Sequence, residues 1–283
     1  MVKEVRNQYG FFSIDAGVLV KAEIAEGVTD LVIPKDEGIT QIGKDAFKDC
    51  SRLTAVNFPP SLTKIGETAF LRCYGLRGPL VFSQGLTEIG GGAFNGCISL
   101  TAVHFPQSLT KIGEGAFRDC RGLTGRLVLP EGLAEIGVGA FSGCSRLTGQ
   151  LVLPQSLTEI GDLAFSGCSG LTEVHFPVGL TEIGAGAFRS CSGLTGQLVL
   201  PPGLTEIGDG AIEGCTGLEK LTLSFTTTVL ARKMNQLSLT LGKTFGKTSQ
   251  IIPIVTNSPA YHLLSGLRSH TKISVKIFEA MSI

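Results

Sequence analysis

Between residues 27 and 224 the apolar and polar positions form one pattern, repeated every 23 or 24 residues. Leu157 to Leu171, "LTEIGDLAFSGCSGL", is representative: leucine and threonine, a polar residue, isoleucine and glycine, then alanine-phenylalanine, cysteine and a second leucine. A short apolar stretch follows, in which inward positions alternate, as with Val103 and Phe105 or Leu151 and Leu153, and usually ends at proline. Period-two alternation predicts a strand. The "LTEIG" segment predicts a second, shorter strand-like column ahead of the Ala-Phe turn.

The period has a one-residue wobble with a local origin. Short units read "LTAVHFP" and long ones "LTGQLVLP", with the extra residue ahead of the strand. An insertion at a turn preserves strand phase, whereas a slip inside the strand would turn its apolar side outward. One such unit cannot bury its own apolar face, and stacked units share a continuous core. With strands about 4.8 Å apart, eight units make a rod on the order of 40 Å long. The pattern therefore predicts a β-rich, right-handed leucine-rich-repeat solenoid with one parallel strand per repeat, capped at both ends. The expected division is an N-terminal capping segment over 1–26, the solenoid over 27–224, and a capping or appended α/β segment over 225–283.

Units such as "LTEIGAGAFRSCSGL", with "LVLPPG", closely resemble the BspA-like leucine-rich repeats, the type 5 or Treponema-type subclass. The leader "YGFFSIDAGVLVKAEIAEGVTDLVIP" is similar to that family's N-terminal segment, and the resemblance spans roughly residues 9–224. Proline rather than asparagine follows the strand, so no asparagine ladder is implied. The resemblance implies an interaction surface, in bacteria often displayed on the cell surface, without catalytic activity.

Eight cysteines recur at one repeat position, from Cys50 to Cys215. Neighbours on a stacked column have parallel Cβ vectors, unlike the crossed geometry of a disulfide. No two are closer than 23 residues, so there is no zinc-type clustering. They read as buried free thiols, small apolar groups of the core. A hydrolase using Cys168 with His175 fails on the same ground, because seven other cysteines share the phase of Cys168.

Outward strand positions align as Val32, Asn57, Val81, His104, Val128, Val152, His175, Val199 and Thr222. The five valines fit either simple β-propensity or an apolar partner patch. A flanking polar column, Arg126, Gln150, Glu173, Gln197 and Lys220, would rim such a patch. The partner-binding candidates are thus Val81, His104, Arg126, Val128, Gln150, Val152, Glu173, His175, Gln197 and Val199. His104 and His175 lie three rungs apart, roughly 14 Å, too far for one metal ion. A second outward column, Lys64, Glu88, Lys111, Glu135, Glu159, Glu182 and Glu206, with Asp162 and Asp209 nearby, reads as a solvated face. Calcium or a basic partner is the alternative there.

Formal net charge is zero over 283 residues, yet the charge is unevenly placed. Residues 26–224 carry 14 basic and 20 acidic side chains, and residues 225–283 carry 7 and 1. The basic tail lacks the dense Lys/Arg runs and aromatic interleaving of single-strand binders, so no nucleic-acid partner is expected. It contains a candidate strand over 237–241, a helix opening at Ser258-Pro259, and a final strand in "TKISVKIF". Its Gly242 and Gly246-Lys247-Thr248 mimic a phosphate-binding loop, but enclose three residues where that loop needs four. No apolar run reaches the roughly 18–20 residues of a membrane helix, and "MVKEVRNQYGFFSIDAG" is no secretory signal. The chain as written reads as intracellular, or as secreted or cell-surface if a targeting segment has been removed. The functional expectation is a non-catalytic module, without cofactor, that binds a protein or glycan on the stacked strand surface. Alternatives are an assembly subunit of a larger complex and an adhesin fragment lacking its signal peptide.

Overall fold

The computed structural model describes residues 2–225 and 250–255, and among these there is no helix. The strand over 237–241, the helix at Ser258, the strand over 271–278 and the glycine run at 242–248 lie outside the described residues. The chain opens as an antiparallel meander of β1 (Lys3–Asn7), β2 (Gly10–Asp15) and β3 (Val18–Ile24). Phe12, Ile14 and Leu19 are buried and close the first end of the core. β3 then pairs in parallel with Gln41–Ile42 of the first coil, Leu19 opposite Ile42. Antiparallel cap and parallel stack are thereby joined without an interruption of the ladder.

The coils are fastened along three columns of backbone hydrogen bonds, two of them continuous and the third interrupted. The first is the "LTEIG" column. Its two-residue strands, Gln41–Ile42 through Glu206–Ile207, extend the meander into one eleven-stranded sheet. Isoleucine points inward, and the glycine after it sits against the preceding coil. A Cβ on Gly161 would lie 2.7 Å from the Val138 nitrogen, so glycine sets the closeness of the stack here.

The second ladder is the Ala-Phe turn. Two residues per turn, four apart, take left-handed backbone conformations, as in Gly139 (φ 60°) and Gly143 (φ 78°). That alternation aims three amides at the next coil: those of Gly115, Phe117 and Asp119 donate to Val138, Ala140 and Ser142 at 2.7–2.8 Å. Phenylalanine rings from Phe47 to Phe188 stack directly on one another, with centroids 4.9–5.5 Å apart and planes within 10°. Each cysteine from Cys73 to Cys215 donates its Sγ–H to the phenylalanine carbonyl of the preceding coil at 3.1–3.3 Å.

The third ladder, the apolar strand column, differs from the expected continuous sheet. Pairing is complete from a long unit to a short one, as for Val81 with His104 and Val152 with His175. It is also complete between the first two short units, where Leu31 meets Val56. From a short unit to a long one it fails after a single bond, the amides of Arg77, Thr124 and Thr195 reaching the carbonyls of Thr54, Thr101 and Thr172. The next residue in each case is the inserted glycine, Gly78, Gly125 or Gly196, with φ between 65° and 74°. Its left-handed bend lifts the following strand out of bonding register. Two successive long units share only the bridge Gly125 to Leu147 and one bond from Thr148 to Gly125. The inserted residue thus keeps strand phase, as the sequence requires, while opening a seam in the hydrogen bonding. At the far end Gln250–Val255 pairs in parallel with Leu218–Phe225, a strand the pattern did not foretell.

Candidate functional site

The outward surface of the strand column is the candidate site, and its residues reach solvent because alternate positions hold the core. Leu127, Leu151 and Leu198 are buried, whereas Val81, Val128, Val152 and Val199 between such positions are 57%, 66%, 39% and 51% exposed. His104 and His175 are exposed beside Val81 and Val152 respectively. Thr222, aligned with Val199, is buried and accepts a bond from Gln197 Nε2 at 2.5 Å, which ends the open part of the stripe.

Three of the flanking candidates, Arg126, Gln150 and Glu173, form one polar chain with His175 of the stripe across three rungs. Arg126 donates to Gln150 Oε1 at 3.4 Å, and Gln150 Nε2 meets His175 Nε2. The same ring nitrogen lies 2.8 Å from Glu173 Oε1. A single nitrogen serves one of these at a time: protonated it donates to Glu173, unprotonated it accepts from Gln150. The structure therefore brings together Arg126, Gln150, Glu173 and His175, and leaves Val81, Gln197 and Val199 apart from them.

Two of the open seams widen into clefts, a feature with no signal in the residue pattern alone. One, of about 600 Å³, lies between Ala55–Asn57 and the following strand, with Lys35, Arg77 and Val81 at its rim and Leu80 beneath. The other, of about 250 Å³, is bordered by His104, Arg126 and Val128 over Val103 and Leu127. Both combine apolar walls with backbone groups that no neighbouring rung takes up.

The cysteines are free, and all but Cys50 are buried. Burial pushes the thiols of Cys97, Cys144 and Cys215 up to about 12. Cys168 is raised well above the usual range for the same reason, and its hydrogen is engaged by the Phe141 carbonyl. A thiolate nucleophile at neutral pH is thus disfavoured at the position nearest in sequence to His175. In the second outward column, Lys64 pairs with Glu88 and Lys111 with Glu135, each at 2.9 Å. Asp162 accepts from the Ala185 amide at 2.5 Å and so fastens two coils. Among the described residues no three His, Cys, Asp or Glu side chains gather closely enough to hold a metal ion.

The sequence profile described as BspA type Leucine rich repeat region, in 6 copies, matches residues 25–148, 78–195 and 123–241. The chain belongs to this family. Its fold is similar to that of a leucine-rich repeat protein from Bacteroides ovatus, with a TM-score of 0.62 at 22% identity, covering 98% of this chain and 75% of that one. It is also similar to the T. pallidum Leucine Rich Repeat protein, with a TM-score of 0.53 at 25% identity, covering 87% of this chain and 100% of that one. A search of the curated proteins finds no match. As a BspA-type solenoid, the chain holds its phenylalanine column and seven of its eight cysteines inside and leaves alternate strand positions exposed. No helix among the described residues is long and apolar enough to cross a membrane.

Proposed function

We propose that this BspA-type solenoid is a non-catalytic binding module that engages a protein or glycan partner on the outward strand face. The observation that carries the reading is the stripe of Val81, Val128, Val152 and Val199, 39–66% exposed on strands whose inner positions are buried. Exposed apolar groups in one stripe, bordered by Arg126, Gln150, Glu173 and His175, match the apolar centre and polar rim of partner surfaces. Recognition would be complementary packing on stacked side chains, with the repeats fixing the spacing of contacts. The raised thiols support a role without bond chemistry.

The test immobilises the full chain and probes it with a glycan array and with serum and cell-lysate proteins. A bound species should be lost from the doubly substituted Val128→Glu, Val152→Glu chain, whose melting temperature should match the parent because both positions face solvent. Retention undiminished by these substitutions would move the binding surface elsewhere.

A further inference from the structure

The outer edge of β1 is paired with no strand among the described residues. β1 is the terminal strand of the eleven-stranded sheet, and β2 covers only one of its edges. In an antiparallel pair, opposed residues alternate between those that exchange hydrogen bonds and those that do not. The two-residue turn closes on Asn7 opposite Gly10, which makes that a bonded pair, and with it Val5–Phe12 and Lys3–Ile14. The backbone groups of Lys3, Val5 and Asn7 are therefore used within the hairpin. Those of Glu4 and Arg6 point the other way, and no described residue bonds to them.

The order of side chains on this edge, Lys-Glu-Val-Arg-Asn, is complementary to itself when reversed. With a two-fold axis at Val5, Glu4 of each copy stands opposite Arg6 of the other, twice over. Glu4 and Arg6 are also the residues whose amides and carbonyls face outward, so side-chain and backbone requirements select the same register. Moving the axis to Glu4 opposes two carboxylates, and moving it to Arg6 opposes two guanidinium groups; directly opposed like charges are unfavourable. Arg6 shares a face with Glu4 and lies over the Phe11 ring of β2, 5.3 Å from its centroid, so its side chain must turn outward to meet Glu4 of the other copy. Lys3 is engaged with Glu37 of its own chain and does not compete. Charges on an edge strand ordinarily discourage pairing; alternating in this order, they admit one partner and one alignment. β1 is the terminal strand of the sheet among the described residues, so a second copy paired on it would add its own sheet beyond that edge.

We propose that β1 is a homotypic docking edge through which two copies of this chain pair antiparallel, cap to cap. A five-residue edge is small beside a standard interface, so the association is weak and concentration-dependent. Sedimentation equilibrium of the full chain, tagged at its C-terminus, should show a monomer–dimer equilibrium that weakens with salt. Glu4→Arg alone, or Arg6→Glu alone, should weaken self-association about tenfold, since each turns two attractive pairs into repulsive ones. The double swap Glu4→Arg, Arg6→Glu restores both pairs and should restore the dimer. Mixing the two single variants should give a heterodimer tighter than the self-association of either. A chain that stays monomeric up to millimolar concentration, or a dimer indifferent to the swaps, overturns the proposal.

Discussion

Gly161 and Gly167 belong to the same repeat and are required for unrelated reasons. Gly167 has φ 73°, and a Cβ there would meet nothing closer than 3.7 Å, so its constraint is conformational. Gly161 has room for no Cβ at all, the Val138 nitrogen being 2.7 Å from where it would sit. Gly167→Ala should cost about 1–2 kcal/mol, the penalty of a left-handed L-residue. Gly167→Asn should recover most of that, because asparagine tolerates this conformation. At position 161, alanine should cost about 1–3 kcal/mol through overpacking, and asparagine at least as much. Urea unfolding of the four variants separates the two causes: rescue by asparagine at 161, or its absence at 167, would refute the assignment. Cys168 shows a similar gap between composition and role. Its thiol is a core group, as the repeat implies, and also a donor to the Phe141 carbonyl, which no spacing argument supplies.

The cysteine column and the strand seams are properties of elements, because neither exists in a single repeat. Burial raises the folded-state pKa of seven thiols, Cys73 through Cys215. A raised folded pKa stabilises the fold fully below the unfolded thiol's pKa of about 8.5. As pH rises past that value the unfolded chain loses protons that the folded chain keeps, and stability falls until the folded pKa is passed. For Cys97, Cys144 and Cys215 the window closes at about 12. Between these limits each buried thiol should remove roughly 1.4 kcal/mol per pH unit. Denaturant midpoints should thus be flat up to pH 8 and drop steeply through pH 9–11, with Cys144→Ala shallower by one thiol's share; a slope unchanged in that variant would contradict the linkage. The seams follow the inserted glycines. Deleting Gly125 turns a long unit into a short one, so Arg126–Val128 should pair with Ala102–His104 as Asp30–Val32 pairs with Ala55–Asn57. The seam before Gln150, which already separates the two successive long units, should remain. Amide exchange reads this directly: slower exchange over 126–128 is expected, and unaltered exchange would detach the seam from the insertion.

At the scale of the whole molecule, each coil is bonded to its immediate neighbours, about 23 residues away along the chain. Stability in such a stack is a sum of repeat and nearest-neighbour contributions. Removing residues 145–168 joins Cys144 to Ser169 in phase and excises one complete unit. The shortened chain should fold, and its urea m-value should fall by about one eighth, in proportion to the surface buried. Loss of cooperative unfolding would show that the missing coil contributed more than its neighbour contacts. The core interior contrasts with this tolerance. Phe117 stacks between Phe94 and Phe141 at 5.3 and 5.4 Å, so a defect there touches three coils.

The sequence by itself determined which residues share a column. A strict period, with alanine, phenylalanine, cysteine, isoleucine and leucine at fixed phases, leaves one way to bury them together, and the inside–outside division of Leu151 and Val152 follows from period two. The solenoid, its free cysteines and the exposed valine stripe were legible on that basis. Only the tertiary structure decided how neighbouring coils are bonded. The modest "LTEIG" segment forms the unbroken sheet, because its glycine lets the coils close to hydrogen-bonding distance. The more conspicuous apolar strand is interrupted wherever a left-handed glycine is inserted. The polar chain from Arg126 to His175 and the two seam clefts arise from that interruption and from side-chain reach across rungs. Periodicity fixes the phase of a residue in its own coil, whereas hydrogen bonding between coils depends on backbone angles at single turns, which the period does not encode.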